Sequence, residues 1–307
     1  METYVRIAIV AAAIVGVAIA ETQIEELRPA TRDVAVDVTN TKGSVDILGW
    51  EQAVVEVTGK LGSDSDVLEF NGTEDRLTIR VSNPNKRPKE ASLVVRVPFG
   101  ATVQVECVSG KIAVEDVEGG LDLRTVSGRV EALQTAGRVR AETVSGSLEV
   151  EGRPASVEAK TVSGKVDIMV ASNAPLRSAP DDPDTVRTRM ERIAASTVSG
   201  SIDIESVEVE LLQCETVSGS IDFIGAVAAN GEAELQTHSG SIDIVLPAGS
   251  PVSLDLNTFS GGIDSDFGGA VNEPKFGPGR SLEYVAGSGA ARVRARSFSG
   301  SVSVTGR

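Results

Sequence analysis

Histidine, cysteine and aromatic side chains are nearly missing from this chain of 307 residues, which holds one His, two Cys, one Trp and only 3% aromatics. A lone His238 and two well-separated cysteines cannot assemble a four-ligand zinc centre. A serine nucleophile needs an adjacent base. His238 and Ser239 are strand neighbours that point apart, so they cannot serve one site. The chain also lacks a basic stripe: 44 acidic residues against 29 basic ones give a net charge of −15. Without clustered Lys and Arg to neutralise phosphates, the composition disfavours nucleic acid and anionic membrane surfaces as partners, and no nucleic acid is expected. The Gly-Gly-x-Gly-x-Asp nonapeptide of calcium-binding β-rolls is missing too. Tryptophan, a usual floor for sugars, occurs only as Trp50.

What the chain does contain is one phrase written many times. Thr-Val-Ser-Gly stands at 125–128, 143–146, 161–164, 197–200 and 216–219, with near copies ending at Gly110, Gly240, Gly261 and Gly300. A recurring period implies one structural unit stacked along an axis. Around each corner the apolar residues alternate with polar ones. Leu121 and Leu123, or Val157 and Ala159, precede the glycine; Leu148 and Val150, or Ile202 and Ile204, follow it. Period two places one face of each strand inward. The expected fold is all-β: a right-handed parallel β-helix (β-solenoid) with two strands per rung of about 18–21 residues. The threonine of each phrase lies in the inward phase, where a stacked column is expected to share hydroxyl hydrogen bonds. Asn40-Thr41-Lys42-Gly43 is a degenerate first corner, and residues 21–100 are expected to form an N-terminal β cap over the exposed edge.

The solenoid itself is expected over 101–307, with loop insertions at 171–190 and 266–290. The first insertion carries Pro175, Pro180 and Pro183 and a short helical turn is expected at 184–192; residues 281–285 and 291–297 are expected to close the stack as a hairpin cap. Residues 7–20 are uninterrupted apolar or small, and Ala18-Ile19-Ala20 offers a small-x-small cleavage site before Glu21. Fourteen residues are short for a span, which needs about 20. A signal peptide over 1–20 is expected, with an uncleaved anchor as its rival. Export permits a disulfide, but Cys107 and Cys214 lie about five rungs, or roughly 24 Å, apart. That separation leaves both as small core residues.

One polar pattern recurs. Glu131, Glu149, Asp167, Asp203, Asp222, Asp243 and Asp264 hold the third position after consecutive corner glycines. The ladder is either the outward face of a half-exposed strand, a solubility device, or a cation strip centred on Asp167, Asp203, Asp222, Asp243 and Asp264. No catalytic residue and no cofactor is expected.

The repeated Thr-Val-Ser-Gly-x-Val-x-Val, the Gly-Ser-Val-Asp-Ile-x-Gly-Trp segment at 43–50 and the Phe-Gly-Pro-Gly at 276–279 resemble the bacterial "putative adhesin" β-strand-repeat family, a domain of unknown function. The resemblance covers nearly the whole chain after residue 20. It implies a non-enzymatic exported scaffold, periplasmic or at the cell surface, that engages an envelope glycan or protein partner. Two rivals stand beside it. A carbohydrate-active lyase or hydrolase on the same fold would show a groove of clustered carboxylates and Arg. A structural protein polymerising end to end would show an uncapped terminus.

Overall fold

Alternating apolar and polar positions become strands throughout the computed structural model, which describes residues 22–84, 86, 89–171, 190–274 and 278–307. The expected signal peptide at 1–20 lies outside the described residues, as does nearly all of the insertion at 171–190. Among the described residues no helix is long and apolar enough to cross a membrane. At the N-terminal end stand β1 (Thr22–Pro29), β2 (Ala35–Trp50), β3 (Val54–Leu61), β4 (Val67–Thr73), β5 (Arg76–Ser82) and β6 (Ala91–Pro98). The regular copies follow as strand pairs around each Ser-Gly corner. They are β7 (Thr102–Ser109) and β8 (Ile112–Glu115), β9 (Leu121–Ser127) and β10 (Val130–Thr135), β11 (Arg138–Ser145) and β12 (Leu148–Gly152), and β13 (Ser156–Ser163) and β14 (Val166–Val170). Next come β15 (Met190–Ser199), β16 (Ile202–Ser218), β17 (Ile221–Ser239), β18 (Ile242–Leu246), β19 (Val252–Ser260) and β20 (Ile263–Ser265). The chain ends with β21 (Arg280–Val285), β22 (Ala291–Ser299) and β23 (Val302–Gly306). Because β15 begins at Met190, the helical turn expected over 184–192 does not reach 192.

Pairing is mostly parallel and in register with the phrase. On one side β7, β9, β11, β13 and β15 join Val103 to Leu121, Leu121 to Val139, Val139 to Val157 and Val157 to Ile193. On the other, β8, β10, β12 and β14 join Ile112 to Val130, Val130 to Leu148 and Leu148 to Val166. Inward residues of both sides, such as Leu123, Ala141, Ile168 and Ile202, are fully buried and form one continuous core. Cys107 and Cys214 are buried free thiols, as expected from their separation.

Corner glycine is required by two observations. At Gly146 φ is +151°, and an added Cβ would lie 1.9 Å from the carbonyl oxygen of Gly128 in the rung below. No side chain fits there, and an L-residue resists that backbone. The threonine column is satisfied only in part, with the Thr125 and Thr143 hydroxyls buried and without a hydrogen-bond partner, and differently from expectation. Thr161, Thr197, Thr216 and Thr237 donate to the carbonyls of Gly146, Gly164, Gly200 and Gly219 at 3.2–3.4 Å. Hydroxyls one rung apart are separated by about 4.8 Å, beyond hydrogen-bond reach, whereas the corner carbonyl is close.

The end of the stack departs from chain order. The last copy does not follow its predecessor; it enters between two earlier ones. β22 pairs in parallel with β17 on one edge and with β19 on the other. β23 likewise lies between β18 and β20. The corner order in space is therefore Gly240, Gly300, Gly261, and the amide of Gly240 bonds Ser299 while that of Gly300 bonds Ser260. This corrects the expected closing hairpin: β21 pairs antiparallel with β19, so β21 and β22 flank one strand and do not pair with each other. Charge complements the insertion. Arg292, Arg294 and Arg296 of β22 come to lie beside Glu232, Glu234 and Gln236 of β17. Arg294 bonds Glu232 at 2.7 Å and approaches Asp255 of β19 at 3.9 Å. The three arginines thus face Glu232 and Glu234 on one side and Asp255 on the other, which favours this position.

Both ends carry antiparallel strands. β4 lies along β5, β3 along β6, and β1 along β3. β21 lies along β19 at the far end.

Candidate functional site

The inserted last copy brings three rings into one row. His238, Phe298 and Phe259 occupy the place held by valine in the other corners, on β17, β22 and β19. His238 and Phe298 stack with centroids 4.8 Å apart and planes within 5°. Phe298 and Phe259 stack at 4.6 Å and 6°. The spacing is the rung spacing, so in-register strands impose face-to-face rings. Phe298 and Phe259 are each about half exposed, at 48% and 47%. The middle ring is covered on both faces, and solvent meets ring edges.

A cleft of about 640 Å³ runs beside this row. Its floor includes Thr216, Thr237, Thr258 and Ser297, and one wall offers Glu215, Gln236, Arg296 and Asn257. The other wall is the strand and turn at Asn272, Pro274, Arg280 and Ser281. That wall is pinned: Arg280 binds Glu273 at 2.7 Å and donates to the carbonyl of Gly261, while Asn272 and Ser281 exchange backbone bonds. An apolar ladder beside guanidinium and amide groups suits a ligand with an apolar body and polar or anionic substituents. From the sequence, His238 serves neither a zinc centre nor a serine nucleophile and has no place in a site. Sequence reading missed the ladder because Phe259 and Phe298 are distant in the chain and adjacent only after the insertion; the Arg triplet at 292–296 facing Glu232 and Glu234 is the signal that could have found it.

The acidic ladder is shorter than expected. Glu131 pairs with Glu149, then Asp167, Asp203, Asp222 and Asp243 follow in register. Ser303 of β23 then faces Asp243 on one side and Asp264 on the other, so Asp264 is separated from the run. The insertion again is the reason. Basic residues neutralise the upper part. Lys165 bridges Asp167 at 2.7 Å and Asp203 at 2.6 Å, and both carboxylates raise its pKa. Burial alone would raise the Glu131 pKa, but hydrogen bonds from Lys111 and Arg129 hold it below the usual range. Asp222 is the exposed flaw: burial, then Asp203 and Asp243, push its carboxyl up. Among the described residues no group of three or more His, Cys, Asp or Glu is arranged to hold a metal ion.

The opposite face carries carboxylates and arginines, the mark set for an enzyme, yet they alternate rung by rung as a ladder of pairs. Arg124 binds Asp122 at 2.8 Å, Arg140 binds Glu142 at 2.7 Å, and Lys160 binds Glu158 at 2.5 Å. Burial raises the Asp122 pKa against the pull of Arg124 and Arg140. The hydrogen bond from Lys160 is first in lowering that of Glu158.

Residues 171–305 match the family model Toastrack DUF4097. That model describes a domain of unknown function, and the match covers less than half of the chain. The Toastrack match takes in the later strands from β15 to β23, a narrower span than the resemblance over nearly the whole chain. No curated protein matches the sequence. Among solved structures, a "putative adhesin" from Bacteroides fragilis is similar at 9% identity, covering 94% of this chain and 100% of that one with a TM-score of 0.44. A "putative lipid binding protein" from Parabacteroides distasonis is similar at 10% identity, with 92% and 96% covered and a TM-score of 0.36. A "putative cell adhesion protein" from Clostridium sporogenes shows 6% identity, 94% and 100% coverage and a TM-score of 0.30. The all-β, mostly parallel, solenoid-like Toastrack fold agrees with the expected class.

Proposed function

We propose that this protein is a non-enzymatic, exported scaffold of the cell envelope, periplasmic or at the cell surface, that captures a ligand in the aromatic cleft. The observation that carries the reading is the half-exposed His238–Phe298–Phe259 row beside Arg296 and Asn257. Exposed rings lining a walled cleft cost solubility and are kept where something binds. The rest of the chain serves as a rigid rod in this reading. We take the rungs to be two-stranded and right-handed, since parallel crossovers overwhelmingly wind that way. Residues 1–20 act as the export signal, and 21–100 as the cap. Paired carboxylates on the flanking face support the non-enzymatic reading, because each already has a cationic partner. Antiparallel strands at both ends weigh against end-to-end polymerisation.

The experiment screens purified protein against envelope glycans for binding and for turnover. Binding that is lost in Phe298→Ala and Arg296→Ala, with no new reducing ends, is the expected result. Release of reducing ends, abolished by Asp122→Asn or Glu158→Gln, would replace this reading with the carbohydrate-active enzyme.

A further inference from the structure

The corner valines continue the line of the aromatic row along the stack, and Val217 borders the aromatic cleft. Val108, Val126, Val144, Val162, Val198 and Val217 succeed one another up the stack, and each is 47–53% exposed. Register fixes them in one line, because the neighbouring Ser109, Ser127, Ser145, Ser163, Ser199 and Ser218 pair rung to rung. At about 4.8 Å per rung the line extends roughly 24 Å. A groove beside its first four members is bordered by Glu106, Arg124, Glu142 and Lys160. Contiguous exposed apolar surface with a charged rim is the anatomy of a protein interface.

The order of those charges selects the occupant. Read along the stack they are minus, plus, minus, plus. A second copy laid antiparallel, with its two-fold axis between Val126 and Val144, sets Val126 on Val144 and Val108 on Val162. The same operation sets Glu106 on Lys160 and Arg124 on Glu142, so the four charges of this rim each meet their opposite. Symmetry repeats each contact twice, as a two-fold interface requires. The parallel arrangement is worse: it sets Glu106 on Lys111 but brings Arg124 against Arg129 and Lys160 against Lys165. On the far rim of the antiparallel pair Lys111 meets Lys165, but Lys111 is held by Glu131 at 2.6 Å and Lys165 by Asp167 and Asp203. We propose that the row Val108–Val126–Val144–Val162 is a homodimer interface, in which a second copy of this chain docks antiparallel. The dimer places the two aromatic clefts at opposite ends of a longer rod, giving two-ended attachment.

The test is sedimentation equilibrium on the purified full chain over a range of concentration and salt, with circular dichroism to verify folding. Wild type is expected to dimerise, and more weakly at high salt because the rim pairs are exposed. Val126→Asp with Val144→Asp is expected to weaken dimerisation at least tenfold while leaving the fold intact, since both side chains already meet solvent. Arg124→Glu sets two acids against each other at Glu142 and weakens the dimer; adding Glu142→Arg restores it. A wild type that stays monomeric at every concentration overturns the proposal and assigns the row to a different partner. A dimer indifferent to the Asp pair overturns it as well, as does a double charge swap that fails to rescue.

Discussion

Three glycine-to-alanine changes separate the forces that hold the corners. At Gly146 the new Cβ would stand 1.9 Å from the Gly128 oxygen, with φ at +151°. At Gly249 φ is +77° but nothing lies within 4 Å of the new atom. At Gly262 the surroundings are equally empty and φ carries no strain. Backbone strain alone costs about 1–2 kcal/mol. Loss of unfolded-chain entropy returns roughly 0.4–1 kcal/mol to any Gly→Ala change. Gly262→Ala should therefore be neutral or slightly stabilising, and Gly249→Ala should cost about 1 kcal/mol. Gly146→Ala cannot relax without opening the rung, which breaks the bonds from Gly128 to Ser145 and from Gly146 to Ser163, both 3.0 Å. Two lost backbone bonds at about 0.5–1.5 kcal/mol each, added to the strain, put its cost at about 2–5 kcal/mol. Urea unfolding followed by far-ultraviolet circular dichroism gives the three values. If Gly146→Ala is no worse than Gly249→Ala, the close-packed corner is wrong.

Further outcomes follow from the ladders. Phe298→Ala removes two stacked contacts and should cost about 1–3 kcal/mol in the same assay. Arg294→Glu should cost about 1 kcal/mol at low salt, a lost surface pair plus new repulsion with Glu232 and Asp255, and less at high salt. Asp222→Asn should raise the melting temperature at pH 7. Its folded carboxyl binds protons more tightly than the unfolded one, so the wild-type penalty appears as pH rises through the carboxylate range and vanishes below about pH 3.9. A melting scan against pH should show the mutant's gain disappear in acid. Millimolar calcium should leave wild-type melting unchanged. A rise abolished by replacing Asp203, Asp222 and Asp243 with Asn would make the ladder a cation site.

The regular rungs were legible from the sequence because each strand obeys period two and each corner repeats the same glycine. Val103 through Ile204 could be assigned inward from alternation alone. Two things were not legible. Hydroxyls of the Thr column bond corner carbonyls, and which acceptor wins depends on backbone geometry that no pattern encodes. The order of the last rungs was hidden because neighbours in sequence are normally neighbours in space, a habit that β22 breaks. That break hides the aromatic row and interrupts the acidic ladder at Ser303. Local pattern specifies a strand; which edge it joins is a contest among edges, in which Arg292, Arg294 and Arg296 favour the place between β17 and β19.

The inserted last rung is what creates the cleft, so its position is the claim to test. Cysteine pairs at the outward corner serines decide it by disulfide trapping in the folded protein, the native Cys107 and Cys214 being buried. Ser239 pairs with Ser299, and Ser299 with Ser260, whereas Ser239 and Ser260 lie two rungs or about 9.6 Å apart. Cross-links at 239–299 and 260–299, with none at 239–260, are the predicted result. A cross-link at 239–260 with none to 299 would put the rungs back in chain order and contradict the account.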